Sequence, residues 1–321
     1  AVVHDPDRPR AEAFAAAHGA RAVADEAAAI AACDAVYVTT WTSEHRRLVV
    51  AAAAAGRAVF CEKPLAATAW DAAAMAAAVE AAGVVHQVGL VLRDSPAFLL
   101  LRHLVQRPAS GRVMAVVFRD DQFLPVQGLY RSTWRGDVTR AGAGTLLEHS
   151  IHDLDLLAWI AGPVVEVAAR TDAFHGLPGI EDVATVTLRF ADGGLATLAS
   201  VWHDVLARPS LRHVEVFCER ATYVLEGDVA GPVRWTVEGP LDGPFAGSGM
   251  RQADGLVGAL RDEGIVARNP DAAFIAAVAG GPPTGPTLSD ALAAHRLADA
   301  AYRSAATGGA PVAVDPPAGG P

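Results

Sequence analysis

Lysine is almost absent from this sequence: Lys63 is the single one, although Lys and Arg together number 26. In a chain this rich in alanine and arginine, coding bias would readily have turned a surface lysine into arginine. Lys63 is therefore the position that most needs an ammonium, which donates from a compact charge and can lose a proton when buried. Chance survival of one surface lysine is the competing reading on composition alone. Cysteine is also scarce. Cys33, Cys61 and Cys218 are odd in number and far apart, which excludes a disulfide framework or a zinc site and suits a reducing, cytoplasmic setting. Positive charge is in deficit, with a formal net charge of -10 and a pI of about 5.5. That balance excludes a phosphate-tracking surface and hence a nucleic-acid partner. No apolar run approaches the ~18 residues needed to cross a bilayer, so no membrane role is expected. The stretch Ala1-Val2-Val3-His4-Asp5 shows no charged-then-apolar leader.

What is present is apolar material: 52% hydrophobic residues and a mean hydropathy of +0.25 across 321 residues. This is enough for a large core and two domains. The first ninety positions alternate short β-branched runs with Ala-rich helical stretches, the rhythm of βαβ units. Ala1–Val3, Ala35–Thr39, Ala58–Cys61 and Val84–Val88 read as strands. Helices run over Arg8–Ala17 to a Gly19 cap, near Asp25–Ala32, from Ser43 to Gly56, and from the Thr68/Asp71 capping box to Gly83. Parallel strands joined this way bring Asp5, Thr39–Trp41 and Glu62–Pro64 to one sheet edge, where such folds bind ligands.

From Arg93 the pattern changes to period-two strands over 112–120, 164–171, 182–190, 195–203, 211–219 and 222–226, with a hairpin at Ala191-Asp192-Gly193-Gly194. One helix is expected over Thr145–Ile160, and two more near Asp271–Ala279 and Ser289–Ala305. The fold class is α/β: an incomplete Rossmann-type dinucleotide-binding domain over 1–92, then an α+β domain over 93–315 with a large, mostly antiparallel open sheet. A Pro/Gly-rich tail covers 316–321.

Asp5, at the end of the first apolar run, sits where a carboxylate accepts hydrogen bonds from adenosine ribose hydroxyls and disfavours a 2′-phosphate, so NAD is expected over NADP. An ordinary Asp-Pro turn is the alternative. No Gly-x-Gly-x-x-Gly occurs upstream. Glu148 and His152 are four apart and on one helix would share a face. The imidazole could take a hydroxyl proton, its basicity raised by the carboxylate. A helix-surface pair explains that spacing equally well.

The run Cys61-Glu62-Lys63-Pro64-Leu65-Ala66, after Ala54-Ala55-Gly56-Arg57-Ala58-Val59, resembles the glucose–fructose oxidoreductase / inositol dehydrogenase / MocA family. The resemblance extends through Val38-Thr39-Thr40-Trp41 with His45, Gln87-Val88-Gly89 with Arg93 and Pro96, Trp134-Arg135, Gly144 to Asp155, and Ser289 to Ala305. It implies that roughly the first thirty residues of the family pattern, with the glycine loop, are missing, so that the fragment would bind cofactor very weakly.

It further implies a nicotinamide-dependent dehydrogenase acting on a sugar, cyclitol or similar polyol, with Lys63, His152 and Glu148 at the reacting hydroxyl. Asp5, Thr39, Thr40, Trp41, His45, Glu62, Lys63, Gln87, Trp134 and Arg135 would line the cofactor. Arg93, Glu148, His149 and His203 would meet substrate. Trp41 replaces the usual proline and Glu148 a commoner aspartate. Arg208 and Arg212 fit surface arginines better than substrate ligands, and His149, His152 and Asp153 lack a further partner for a metal. By analogy a homodimer or homotetramer is expected. A glycosidase using transient oxidation and a non-catalytic dinucleotide- or sugar-binding regulator are the alternatives.

Overall fold

Helix α1 (Arg8–His18) starts where Asp7 accepts the N–H of Arg10 and ends where Gly19 takes a left-handed φ of 64°. The computed structural model describes residues 1–227, 229–238 and 245–314. Residue 315 and the tail expected over 316–321 lie outside the described residues. In the first region the chain runs β1 (Val2–Val3), α1, β2 (Arg21–Ala22), α2 (Glu26–Ala31), β3 (Ala35–Val38), α3 (His45–Ala54), β4 (Ala58–Cys61), α4 (Ala69–Ala82) and β5 (His86–Val88). β1 pairs with β2, and β3, β4 and β5 form a second sheet; both are parallel. Thr68 caps α4 by accepting the N–H of Asp71 at 3.0 Å, and Gly83 closes it at φ 64°. The expected helix beginning at Ser43 starts instead as a 3₁₀ turn over Thr42–Glu44.

The second region continues through α5 (Pro96–Val105), β6 (Val113–Phe123), α6 (Val138–Ala141), α7 (Thr145–Glu148), α8 (Ile151–Ala161), β7 (Val164–Asp172), β8 (Val183–Phe190) and β9 (Leu195–His203). It closes with β10 (Leu211–Cys218), β11 (Ala221–Glu226), β12 (Val233–Val237), β13 (Ser248–Arg251), α9 (Ala253–Asp262), α10 (Pro270–Val278), α11 (Leu288–Ala306) and β14 (Val312–Ala313). Nine strands form one sheet in the order β13-β12-β11-β10-β6-β9-β8-β7-β14. Only β6 and β9 run parallel; the other neighbours are antiparallel.

Alternation decides which side is core. On β9, Ala196, Leu198, Ser200 and Trp202 are buried, while Leu195, Thr197, Ala199 and Val201 face away. α5, α8 and α11 cover the buried side through Phe98, Leu101, Leu154, Leu157 and Leu297. Each such fully buried side chain contributes about 1.5–3 kcal/mol, so a one-residue slip that exposed the row would cost far more than any turn could return.

The chain then comes back to its beginning. Leu288 and Ala291 of α11 join the core of α3 and α4, and Phe274 of α10 packs edge-on to Phe60 and Tyr37. His295, 2% exposed, sits between the main chain of Ala66 and the carbonyl of Ala291. Burial lowers its pKa, which keeps the ring neutral, with Nδ1 donating to Ala291 and Nε2 accepting from the Ala66 N–H. The last helix thereby fixes the loop after β4 against the second region.

The continuous helix expected over Thr145–Ile160 is broken. α7 ends at Glu148 and α8 begins at Ile151. Ser150 is drawn down to the sheet, donating to Asp120 at 3.0 Å and accepting from the Ser200 hydroxyl at 2.7 Å, and Thr145 shares Ser200 at 2.8 Å. These bonds compete with helical geometry and win because all of the groups are buried.

Candidate active site

β3, β4 and β5 deliver their carboxyl ends to one edge, whereas β1 and β2 form a sheet of their own, so the single edge expected for Asp5, Thr39–Trp41 and Glu62–Pro64 is divided between two sheets. Beyond β1, Asp5 accepts the N–H of Asp7 at 2.8 Å and lies 3.8 Å from Arg10. Beyond β3, Thr39, Thr40 and Trp41 are exposed, with the Arg140 guanidinium 3.9 Å above the Trp41 ring. Beyond β4, Glu62 fills the space that a side chain at Gly89 would need, since a Cβ there would stand 2.7 Å from its carboxylate.

Lys63 reaches from this edge into the second region, where its Nζ donates to the main-chain carbonyl of Glu148 at 2.7 Å. Burial pulls its ammonium below the usual lysine range, with the Glu148 carboxylate opposing. The break after α7 makes that contact possible: in an unbroken helix this carbonyl would accept the N–H of residue 152. Glu148 is itself buried, accepting from Thr42 at 2.6 Å through one oxygen and from Arg135 at 3.1 Å through the other.

His152 lies in the first turn of α8 and is 7% exposed. Its Nδ1 has no hydrogen-bond partner among the described residues. Burial holds its pKa well below the ordinary imidazole value, and Lys63, Arg212 and His149 push the same way. This corrects the expectation that Glu148 raises its basicity. The helix break puts the two residues on different elements, and both Glu148 oxygens are engaged elsewhere. Lys63, Glu148, His149 and His152 all open on one cleft of about 270 Å³, together with Arg135 and Arg212.

Beneath the cleft lies a polar cluster that the sequence reading did not assemble. Arg212 donates to Asp153 at 2.7 Å and to Asp120 at 3.2 Å, and the His149 imidazole lies 3.0 Å from Asp120. Burial raises the Asp153 carboxyl to about 7, with Asp120 adding to the rise and Arg212 opposing it. Arg212→Met would strand two buried carboxylates, and a loss of about 3–5 kcal/mol is expected in urea melts at neutral pH. A loss below 1 kcal/mol would contradict this account. The signal was present: Arg212 is in phase with Val214 and Val216, and Asp120 with Val116 and Phe118. A charge in the apolar phase of a strand marks a buried pair.

Other expected residues lie elsewhere. His45 is 1% exposed and sits within 3.0–3.2 Å of the carbonyls of Pro64, Leu65 and Thr40, so it braces two loops. Gln87 is fully buried, donating to Pro270 and accepting from Thr284. It ties β5 to the returning chain instead of facing the edge. Arg93 is clamped by Asp155 at 2.6 Å and Asp290 at 3.1 Å, outside the cleft. His203 belongs to the open face of the sheet, where it meets Asp121 at 3.4 Å. Trp134 lies under the Arg135 guanidinium, 4.6 Å away. Among the described residues no group of three or more His, Cys, Asp or Glu side chains could hold a metal. No described helix is long and apolar enough to cross a membrane.

The fold and the cleft define a class. Residues 1–90 match the sequence model of an oxidoreductase family with an NAD-binding Rossmann fold, and residues 98–224 match the GFO/IDH/MocA C-terminal domain. Myo-inositol dehydrogenase Hyg17 of Streptomyces leeuwenhoekii is 31% identical over 97% of this chain and 91% of its own length. The chain belongs to the Gfo/Idh/MocA oxidoreductase family. A 1,5-anhydro-D-fructose reductase of Ensifer adhaerens is 36% identical, but the match spans only 51% of this chain and 49% of that protein, about half of each. Among solved structures, the WlbA dehydrogenase of Bordetella pertussis, crystallised with NADH and UDP-GlcNAcA, shares the fold at a TM-score of 0.85 and 23% identity, over 98% of this chain and 90% of that one.

Proposed function

We propose that this chain is an NAD-dependent dehydrogenase exchanging hydride with a secondary alcohol of a sugar, cyclitol or related polyol. The observation that carries the reading is the convergence of Lys63, from the end of β4, and His152, from α8, on one cleft. The residues fit a dinucleotide at the strand ends: Asp5 is only partly buried and Thr39, Thr40 and Trp41 are exposed. There Asp5 would take the ribose hydroxyls, and Glu62, Lys63 and Arg135 would border the nicotinamide. Bound in this way, NAD supplies the hydride acceptor.

The residues of the chain do the rest. Lys63 donates to the reacting oxygen and stabilises its developing negative charge. His152, neutral at working pH, takes the hydroxyl proton in oxidation and returns it in reduction. Glu148 holds Lys63 by its carbonyl and Arg135 by its carboxylate. Names of relatives such as myo-inositol dehydrogenase and levoglucosan dehydrogenase support the polyol class.

We also propose that residues 1–92 hold the dinucleotide and that the chain from 93 onward shapes the substrate site. The unpaired cysteines support cytoplasmic residence. Exposed Met114, Val117 and Leu195 on the open sheet face support pairing of two or four copies. A panel of myo-inositol, levoglucosan, 1,5-anhydro-D-fructose and their oxidised or reduced counterparts, assayed at 340 nm with NAD(H) and NADP(H), tests the function. NADH formation with at least one polyol is expected. Turnover that releases a cleaved glycoside without net NADH would replace this reading with the glycosidase.

A further inference from the structure

The buried side of the large sheet meets the cleft in two successive rows of side chains, and the rows differ in one respect. The lower row is Arg212, Asp120 and Ser200, set side by side because Arg212 faces Asp120 across β10–β6 and Asp120 faces Ser200 across β6–β9. All three are bonded to one another or to α7 and α8. The upper row lies two residues further along the same face. Gln122 faces Trp202 across β6–β9, and the β10 register, with Leu211 opposite Asp121, sets Ser210 beside Gln122.

Every member of this upper row lines the cleft, and two of them carry a buried polar atom with no partner among the described residues. The Trp202 indole N–H and the Ser210 hydroxyl are buried without a partner. The Gln122 side chain, 6% exposed, borders the same cleft with an amide that can donate and accept. Leaving groups such as the indole N–H and the hydroxyl unmatched costs about 1–3 kcal/mol each, and native proteins seldom do so without a ligand to complete them.

We infer that Ser210, Gln122 and Trp202 form a hydroxyl-reading row that binds the end of the substrate away from the reacting carbon and selects an uncharged, hydroxylated ring. The inference deepens the dehydrogenase reading above and rests on it for the position of the reacting end. Trp202 can only donate, so it requires an oxygen lone pair. Gln122 and Ser210 can each donate and accept, which suits neighbouring hydroxyls.

No cation belongs to the row. Lys63 and Arg135 are turned to Glu148, and Arg212 is held in two ion pairs. A phosphate or carboxylate on the distal part of the ring would therefore meet neutral dipoles only. Leu92, Pro125 and Tyr130 provide an apolar wall for the C–H face of a ring. The cleft of about 270 Å³ lies just below the range of roughly 300–1,000 Å³ common for ligand sites, which favours one ring over two.

The test uses the whole chain, with NADH for binding and NAD for turnover, and four probes: myo-inositol, levoglucosan, D-glucuronate and D-glucose 6-phosphate. Binding is followed by calorimetry in the wild type and in Gln122→Met, Ser210→Ala and Trp202→Phe. Ser210→Ala changes a half-buried side chain and guards against loss of folding, which melting curves check in all three. A neutral probe is expected to bind about 3- to 10-fold more weakly in each variant, the equivalent of one lost hydrogen bond. KM should rise while kcat holds.

Row variants that bind and turn over every probe like the wild type would overturn the inference, as would a tenfold preference for either charged sugar or no binding of any neutral probe. The two readings fail separately. Polyol binding that depends on the row without any NADH formation would sink the dehydrogenase and leave the row. NADH formation with KM unchanged in all three variants would do the reverse.

Discussion

Lys63→Met is expected to lower kcat for an accepted polyol by about 10²- to 10³-fold, the typical loss when one donor to a developing oxyanion is removed. Methionine keeps the length and the apolar stem of lysine and deletes only the ammonium. The Glu148 carbonyl would lose its donor, but it borders the cleft and water can replace the bond. The two regions also remain joined through the Thr42–Glu148 bond and the His295 contacts with Ala66, so the fold should survive. KM should change by less than the rate does, because the interaction strengthens as charge builds on the oxygen. Stopped-flow or steady-state assays of NADH formation, with melting curves to confirm folding, measure this. Lys63→Arg should not rescue the rate, since guanidinium neither fits the compact site nor yields a proton readily. A Lys63→Met enzyme within threefold of wild type would remove the lysine from the chemistry.

His152→Asn is expected to cost about 10²- to 10⁴-fold, the usual worth of a positioned general base. It should also change the shape of the pH profile. The imidazole is pushed well below its ordinary value by burial and by three positive or protonatable neighbours. It is therefore in its neutral, proton-accepting form at pH 7, and activity in the oxidative direction should fall only on acidification below about 6.5, the unperturbed value. That acid limb should vanish in His152→Asn. A limb near 7 that persists in the variant would point to the buried Asp153 carboxyl, raised to about 7, and would move the pH control from the base to its foundation. A wild-type acid limb above 7 would contradict the burial argument.

Much of this was readable from residues alone, and the failures have physical causes. β9 was bounded at Leu195–His203, because its alternation and the Asp192-Gly193 turn agree. The capping signals at Thr68, Gly19 and Gly83 acted locally and needed no tertiary help. The helix break was invisible because Leu147, Ile151, Leu154 and Leu157 keep helical spacing through it. What breaks the helix is Ser150 bonding to Asp120 and Ser200, residues 30 and 50 positions away.

His203 was expected to meet substrate, but strand parity puts it on the face away from the cleft. A titratable side chain drew attention, yet the apolar phase of β9 runs through Ala196 and Leu198 to Trp202. The neighbouring histidine points to the other side. Arg93 and Gln87 carried family motifs, but Arg93 is consumed by ion pairs with Asp155 and Asp290 and Gln87 by its tie to the returning chain. Arg212 looked like one of many surface arginines, and only strand pairing brings Asp120 to it.

The short gap between α7 and α8 gives the lysine an unusual tether. A peptide oxygen fixes the direction of the amine without neutralising it as directly as a carboxylate in the same place would. One of three N–H bonds is used and two stay available to an alcohol. A kink of two residues in the main chain thus supplies the aim of the amine.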